Sequence, residues 1–198
     1  MPQQSTYDAL ANLAADGNTS AITMPGLISN ATVFLGTATF GGGTLKAQVS
    51  FDGGTTYLDH PSLTFTSGTA NTKKGDYTII GPKVRFNLNG ATGPNLDVAV
   101  AADETRDGNI LQFSFTEDAD SAIFNLPRKA DTLGWAAQGT WSSGTLTLKV
   151  SPDGGTTWYA VSSATANALK HITDNTSTMF KFTLSGSSTP DLTAYVVF

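Results

Sequence analysis

Ser151-Pro152-Asp153-Gly154-Gly155-Thr156-Thr157-Trp158 occurs twice in this chain, the earlier copy being Ser50-Phe51-Asp52-Gly53-Gly54-Thr55-Thr56-Tyr57. Ser50 and Ser151 stand 101 residues apart, close to half of the 198-residue chain. An Asp-Gly pair between β-prone runs signals a hairpin, because both central positions of the favoured turn need φ > 0. The structural turn is therefore assigned to Asp52, Gly53 and Gly54, and again to Asp153, Gly154 and Gly155. The same punctuation used twice makes an internal repeat the first reading of the whole sequence.

The match runs outward from the turn. Gly43-Thr44-Leu45-Lys46-Ala47-Gln48-Val49-Ser50 aligns with Gly144-Thr145-Leu146-Thr147-Leu148-Lys149-Val150-Ser151. Ser20-Ala21-Ile22 falls on Ser121-Ala122-Ile123 at the same offset. Val84-Arg85-Phe86 aligns with Phe180-Lys181-Phe182, and Pro94-Asn95-Leu96 with Pro190-Asp191-Leu192. Two units follow, residues 1–102 and 103–198. The acidic stretch 102–120, with Asp118 and Asp120, reads as a solvated join rather than a calcium loop, whose ligand spacing it lacks.

Each unit reads as short strands. Leu45, Ala47, Val49 and Phe51 alternate with polar residues, which gives one buried face. Thr32 to Phe40 and Thr44 to Phe51 flank Gly41-Gly42-Gly43 and are expected to pair as a hairpin. Residues 6–13 read locally as a helix, but the repeat places them over a strand-like segment, so a strand is expected. The fold class is all-β: two tandem antiparallel β-sandwich units, jelly-roll or Ig-like, related by internal repeat.

Composition narrows the function. Lys and Arg number 11 against 16 acidic residues, a net charge of −5, with no basic cluster, which argues against nucleic-acid binding. There is no cysteine, so neither disulfides nor thiolate metal sites arise. No apolar run approaches the ~20 residues of a membrane span, and residues 1–8 do not read as a secretory signal. Enzymatic signatures are missing. His60 and His171 have no counterpart in the other unit, and His60 reads as a surface loop residue beside Pro61. Gly41-Gly42-Gly43-Thr44 lacks the lysine of a phosphate loop, and no Gly-x-Ser-x-Gly or His-Glu-x-x-His occurs. No catalytic residue, metal or cofactor is expected. Trp135, Trp141 and Trp158 would suit a glycan or partner contact. At the common offset, however, they fall on Phe34, Phe40 and Tyr57, and an aromatic kept in both copies is expected to be core.

Two resemblances add expectations. Ser151, Asp153, Gly155 and Trp158 resemble the Asp-box of sialidases and related glycan-active proteins, a turn remote from the catalytic centre there. The order Ser-Ala-Ile, Val-Ser-x-Asp-Gly-Gly-Thr-Thr-aromatic, Gly-Pro-x-x-Arg-Phe and Pro-x-Leu resembles small β-sandwich domains of tailed-bacteriophage virion proteins, including capsid decoration (cement) proteins. That resemblance implies a non-enzymatic structural role and a symmetric homo-oligomer; the leading expectation is a head decoration protein, assembled in the host cytoplasm, that binds the major capsid protein lattice as a trimer. The alternative it leaves open is a tail, baseplate or fibre accessory protein with a host-glycan-binding unit.

Overall fold

The computed structural model describes residues 11–24, 28–68, 72–106, 109–126, 132–173 and 177–198. The described residues contain strands and turns and no helix. Only Ala11–Leu13 of the strand expected over 6–13 falls among them, and it is a strand; the rest lies outside the described residues.

The first unit holds β1 (Ala11–Leu13), β2 (Gly17–Asn18), β3 (Ile22–Thr23), β4 (Ile28–Thr39), β5 (Thr44–Ser50), β6 (Leu58–Phe65), β7 (Thr72–Ile80), β8 (Lys83–Asn89) and β9 (Asn95–Arg106). The second holds β10 (Ile110–Phe115), β11 (Phe124–Asn125), β12 (Thr132–Thr140), β13 (Thr145–Ser151), β14 (Tyr159–Ala164), β15 (Ala168–Thr173), β16 (Met179–Ser185) and β17 (Asp191–Val197). The chain divides at 108/109 rather than at 102/103. Residues 102–106, expected in an acidic linker, extend β9, which pairs with β4 as far as Arg106 opposite Ile28. A backbone paired over that length belongs to its sheet whatever its charge.

Unit one is built from two sheets, β1-β9-β4-β7 and β2-β8-β5-β6, with β3 also on β8. Unit two repeats the order as β10-β17-β12-β15 and β11-β16-β13-β14. Even the two-residue β2 has its echo, a single bridge from Asp120 to Thr183. With β2 and β3 counted together, since both run along β8, every connection in each unit crosses between sheets except one, β5 to β6 and β13 to β14. That order is the jelly roll, and it decides between the two sandwich types the sequence left open.

The expected hairpin across Gly41-Gly42-Gly43 is therefore a correction. β4 and β5 lie in different sheets, so this turn carries the chain over the sandwich edge. It is nonetheless a tight turn with φ > 0 at both central residues, +57° at Gly41 and +81° at Gly42, closed by Gly43 N–H donating to the Phe40 carbonyl at 2.9 Å. Unit two makes the same turn with Ser142 (φ +44°) and Ser143 (φ +67°), closed from Gly144 to Trp141 at 2.7 Å. Two non-glycine residues in left-handed geometry cost stability, because the Cβ crowds the next carbonyl. Ser142 regains something through its hydroxyl, which donates to the Thr189 carbonyl at 2.7 Å. Ser143→Gly is therefore expected to raise stability by about 1 kcal/mol, read as a higher midpoint in chemical denaturation. A lower midpoint would mean that Ser143 is not strained.

The cores follow the alternation. Leu45, Ala47 and Val49 of β5 and Val84, Phe86 and Leu88 of β8 are buried, facing Val33, Leu35, Val98 and Val100 of the other sheet. In unit two Trp135, Phe180 and Phe182 are sealed completely, and the Phe124 and Phe180 rings stack with centroids 5.5 Å apart.

The repeat slips by one residue where the sequence could not show it. In β4, Gly36 and Thr37 together face the single residue Asp97, a bulge that β12 lacks. The offset is therefore 102 before the bulge and 101 after it. Strand pairing makes Val33, not Phe34, the counterpart of Trp135: Val33 pairs with Val100 and Trp135 with Val196. Likewise Ile22 pairs with Val84, and Phe124, not Ile123, pairs with Phe180. One residue of slip turns a side chain to the other face. Phe34 and Ile123 are accordingly exposed, at 40% and 53%. Where unit one places Val33 and Leu35, unit two places Trp135 and Ala137, one large and one small side chain for two of middle size.

His60 is a further correction. It lies within β6 and is buried, not in a surface loop. Opposite Ala47 the β6 register jumps, which leaves room for His60 and Leu63 to turn inward while Pro61 and Ser62 stay exposed. The ring Nε2 lies 3.1 Å from the Thr78 carbonyl on β7, so it donates, and Nδ1 accepts from Ser62 N–H. Burial lowers the His60 pKa from 6.5, against the opposing pull of the Thr78 carbonyl. The unfolded chain then takes up a proton that the folded one resists. Stability is full above pH 6.5 and falls as the pH drops below 6.5 toward the folded value. A melting series between pH 7.5 and 5 should show this slope, and His60→Gln should flatten it. An unchanged slope in that variant would clear His60 of the effect.

Candidate functional site

The duplicated stretch is the single hairpin connection of each jelly roll, and its polar groups close it. Ser50 Oγ donates to Asp52 Oδ1 at 2.8 Å and accepts from Gly54 N–H at 2.8 Å. Asp52 Oδ1 also accepts from the backbone N–H of Thr55 (3.0 Å) and Thr56 (2.9 Å). In unit two, Ser151 Oγ donates to Asp153 Oδ1 at 2.8 Å, Gly155 N–H donates to Ser151 Oγ at 2.7 Å, and Thr157 N–H donates to Asp153 Oδ1 at 2.8 Å. The positive φ values fall on the glycines, +76° and +104° at Gly53 and Gly54, +73° and +96° at Gly154 and Gly155. The aspartates are not among them, so this is not the two-residue turn that Asp-Gly suggests. It is a seven-residue loop folded around a carboxylate, and the two-residue left-handed turn sits at 41–42 instead.

Donors from Thr157, first its backbone N–H, and then Ser151 lower the Asp153 pKa to about 2. The sign is that of a carboxylate bound better when charged. Its contribution is present above pH 3.8 and disappears as the pH falls toward 2. Asp153→Ala should lower the melting temperature at neutral pH, leave the fold intact, and make the acid limb between pH 4 and 2 shallower. A variant with an unchanged acid limb would show that the carboxylate is not anchoring the loop.

The aromatic that ends each copy is half-buried under a cation. The Arg85 guanidinium lies 3.7 Å from the centroid of Tyr57, and Lys181 Nζ lies 4.6 Å from that of Trp158. Arg85 and Lys181 occupy equivalent places on β8 and β16. Trp158 also donates through Nε1 to the Gly155 carbonyl at 3.1 Å. Trp141 is half-buried beside its turn, its Nε1 donating to Asn167 Oδ1 at 2.8 Å. Trp135 has no exposed surface, so it cannot meet a glycan or a partner. The three tryptophans therefore divide. Only Trp135 is fully buried; Trp141 packs on the edge of the core and is held by Asn167 of the turn between β14 and β15, and Trp158 is pinned at the surface by its own loop.

A second pair of structural carboxylates is invisible at the 101 offset. Asp16 accepts from the backbone N–H of Gly90 and Ala91, each at 2.8 Å. Asp118 accepts from Gly186 N–H at 2.7 Å, from Ser187 N–H at 3.0 Å and from the Ser187 hydroxyl. The two are equivalent at an offset of 102, the value that holds ahead of the bulge. Ser187, through its hydroxyl first and then its N–H, holds the Asp118 pKa below the usual carboxylate value. Asp120 Oδ2 pairs with Lys181 Nζ at 2.6 Å, and Oδ1 accepts from Thr183 Oγ1 at 2.6 Å. Asp118 and Asp120, read from sequence as a solvated join, are clamps on unit two.

A further polar concentration lies on unit one, on the face of the β2-β8-β5-β6 sheet opposite the core. A pocket of about 380 Å³ there is lined by Thr44, Lys46, Gln48, Asp59, Asn87, Asn89 and Gly90. Asp59 accepts from Lys46 Nζ at 2.6 Å and from Gln48 Nε2 at 2.8 Å, and Gln48 Oε1 accepts from Arg85 Nε at 2.9 Å. Partial burial would raise the Asp59 pKa, but the donors Lys46 and Gln48 outweigh it and the net direction is down. Among the described residues no group of three or more His, Asp or Glu side chains could hold a metal ion.

No protein family matches the chain, and no curated protein sequence does. Solved structures align along most of its length, at low identity and low TM-score. The PBSX exported protein XepA is 12% identical with a TM-score of 0.35, covering 97% of this chain and 84% of that one. The major capsid protein P2 of bacteriophage PM2 is 12% identical with a TM-score of 0.30, covering 98% and 96%. Peptide:N-glycanase F is 8% identical with a TM-score of 0.37, covering 96% and 95%. At these scores none assigns a function, and the jelly-roll order stands on the strand pairing itself.

Proposed function

We propose that this chain is a non-enzymatic structural protein of a tailed-phage virion, a head decoration protein that seats on the major capsid protein lattice as a homotrimer. The observation that carries the reading is two complete jelly rolls in one chain, with the same strand order in each. Double-sheet jelly rolls build viral capsid and lectin domains. The stretch that resembles the Asp-box serves in both copies to close a hairpin, so it supports no hydrolytic role for itself. Phe34, standing outward at 40% exposure from the middle of a four-stranded sheet, suits a contact repeated by symmetry.

Quantitative mass spectrometry of purified particles tests the reading. Decoration requires copies on the order of hundreds per particle, because the lattice repeats its site by symmetry. On the order of ten copies would move the protein to the tail, baseplate or fibre. Absence from the particle would overturn the virion assignment. Sedimentation equilibrium of the free chain tests the trimer, and a monomer would remove it.

A further inference from the structure

The polar face of unit one differs from its own copy. Across the pocket, Thr44 pairs with Asn89, Lys46 with Asn87 and Gln48 with Arg85, and Asp59 lies beside Gln48 on β6. The same places in unit two hold Thr145 with Ser185, Thr147 with Thr183 and Lys149 with Lys181, and Ala160 stands where unit one has Asp59. Both units fold into the same sheet, so the jelly roll does not require amides or the carboxylate at these places. Unit one alone has Gln48, Asp59, Asn87 and Asn89 there.

We propose that this face of unit one, over Lys46, Gln48, Asp59 and Asn87, binds a neutral polyhydroxylated ligand, a neutral oligosaccharide. The proposal does not depend on where in a particle the chain sits. Three features favour that chemistry. Lys46 and Asp59 cancel each other within the pocket, so its lining selects neither anions nor cations. Each still has capacity after their mutual bond, since an ammonium offers three donors and a carboxylate about four acceptor sites. The amides of Gln48, Asn87 and Asn89 present donor and acceptor side by side, which matches neighbouring hydroxyls. The groups are also held before any ligand arrives. Tyr57 supports Arg85, Arg85 fixes Gln48, Gln48 and Lys46 fix Asp59, and Asn87 Nδ2 donates to Asn18 Oδ1 at 2.9 Å. Side chains already ordered cost little further entropy on binding. A nucleic acid would need a surplus of cations, and an apolar partner would need apolar side chains; the lining residues supply neither, while the carbon atoms they expose suit the C–H faces of a sugar.

The test uses the intact chain and saturation-transfer NMR. The probes are di- to tetrasaccharides of glucose, galactose, mannose and N-acetylglucosamine at millimolar concentration, with sialylated and sulfated sugars as comparison. At least one neutral class should bind. Gln48→Lys and Asn87→Thr, which install the residues unit two already carries, should each weaken that binding about 10-fold while the melting curve is kept. Lys149→Ala and Thr183→Ala at the equivalent places of unit two should leave it unchanged. Four results would overturn the proposal: no neutral sugar binds, binding survives both unit-one variants, binding requires an anionic sugar, or Trp158→Ala abolishes it.

Discussion

Trp135→Ala is expected to be among the most destabilising single truncations in the chain, at about 3–5 kcal/mol. The side chain has no exposed surface and lies against Phe182, ring centroids 5.5 Å apart, in the centre of unit two. Its neighbour on the same face, Ala137, is too small to fill the space that truncation leaves. The indole Nε1 has no hydrogen-bond partner among the described residues. That supplies a second, opposite expectation. Trp135→Phe loses ring volume but also removes a buried donor whose desolvation is uncompensated, and the two effects oppose each other. The phenylalanine variant should therefore stay within about 1.5 kcal/mol of the parent. Calorimetry of both variants decides the matter. Equal losses would mean that the indole N–H is satisfied. A small loss in Trp135→Ala would mean that Trp135 is not the centre of the unit-two core. The tryptophans left at 141 and 158 are half-buried, so the residual fluorescence should be red-shifted in either variant.

Much of this was legible in the residues. The repeated Ser-x-Asp-Gly-Gly-Thr-Thr-aromatic stretch located the two units and the one hairpin in each, because a carboxylate that gathers backbone N–H groups needs that spacing. The alternation of Leu45, Ala47 and Val49 gave their buried face, because strand side chains alternate strictly. Sheet membership was not legible at Gly41-Gly42-Gly43. A left-handed pair of residues turns the chain tightly whether it stays in one sheet or crosses to the other, and the local sequence is the same in both cases. The face of Phe34 was lost for a different reason. A bulge adds one residue to β4 opposite Asp97 and leaves no mark in composition. An alignment carried through it at constant offset turns every earlier side chain to the wrong side. The same slip hid Asp16 and Asp118 from each other. His60 was misplaced because a histidine beside proline suggests a loop, whereas the irregular register of β6 accommodates both. The polar pocket of unit one had no local signature, since its residues come from three strands and meet only in the folded sheet.

The bulge also explains why glycine stands at 139, and Gly139→Ala is the second large effect expected. Gly139 pairs with Leu192 on β17 and has φ of +128°, a region almost closed to residues with a side chain. A Cβ built there would lie 2.1 Å from the Asp191 carbonyl oxygen, a backbone atom that cannot move without shifting β17. The matching residue of unit one is Ala38, opposite Leu96, and alanine is accepted there. The difference is the extra residue just before it. Gly36 and Thr37 share the space opposite Asp97, and Asp97 in turn accepts from Thr37 N–H at 3.4 Å and from Asn12 Nδ2 at 2.8 Å. In unit two a single residue, Gln138, covers that span, and the backbone makes up the difference in the torsion of Gly139. Strain of about 1–3 kcal/mol from the torsion adds to about 1–3 kcal/mol from the overlap. The expected loss is thus about 2–6 kcal/mol, measured by denaturant midpoint and slope. The mechanism makes a sharper demand than the size of the loss. Inserting one glycine after Gln138 gives β12 the bulge that β4 already has, and in that background Gly139→Ala should recover most of the loss. If the insertion fails to rescue, or if Gly139→Ala alone is neutral, the bulge is not what separates Ala38 from Gly139.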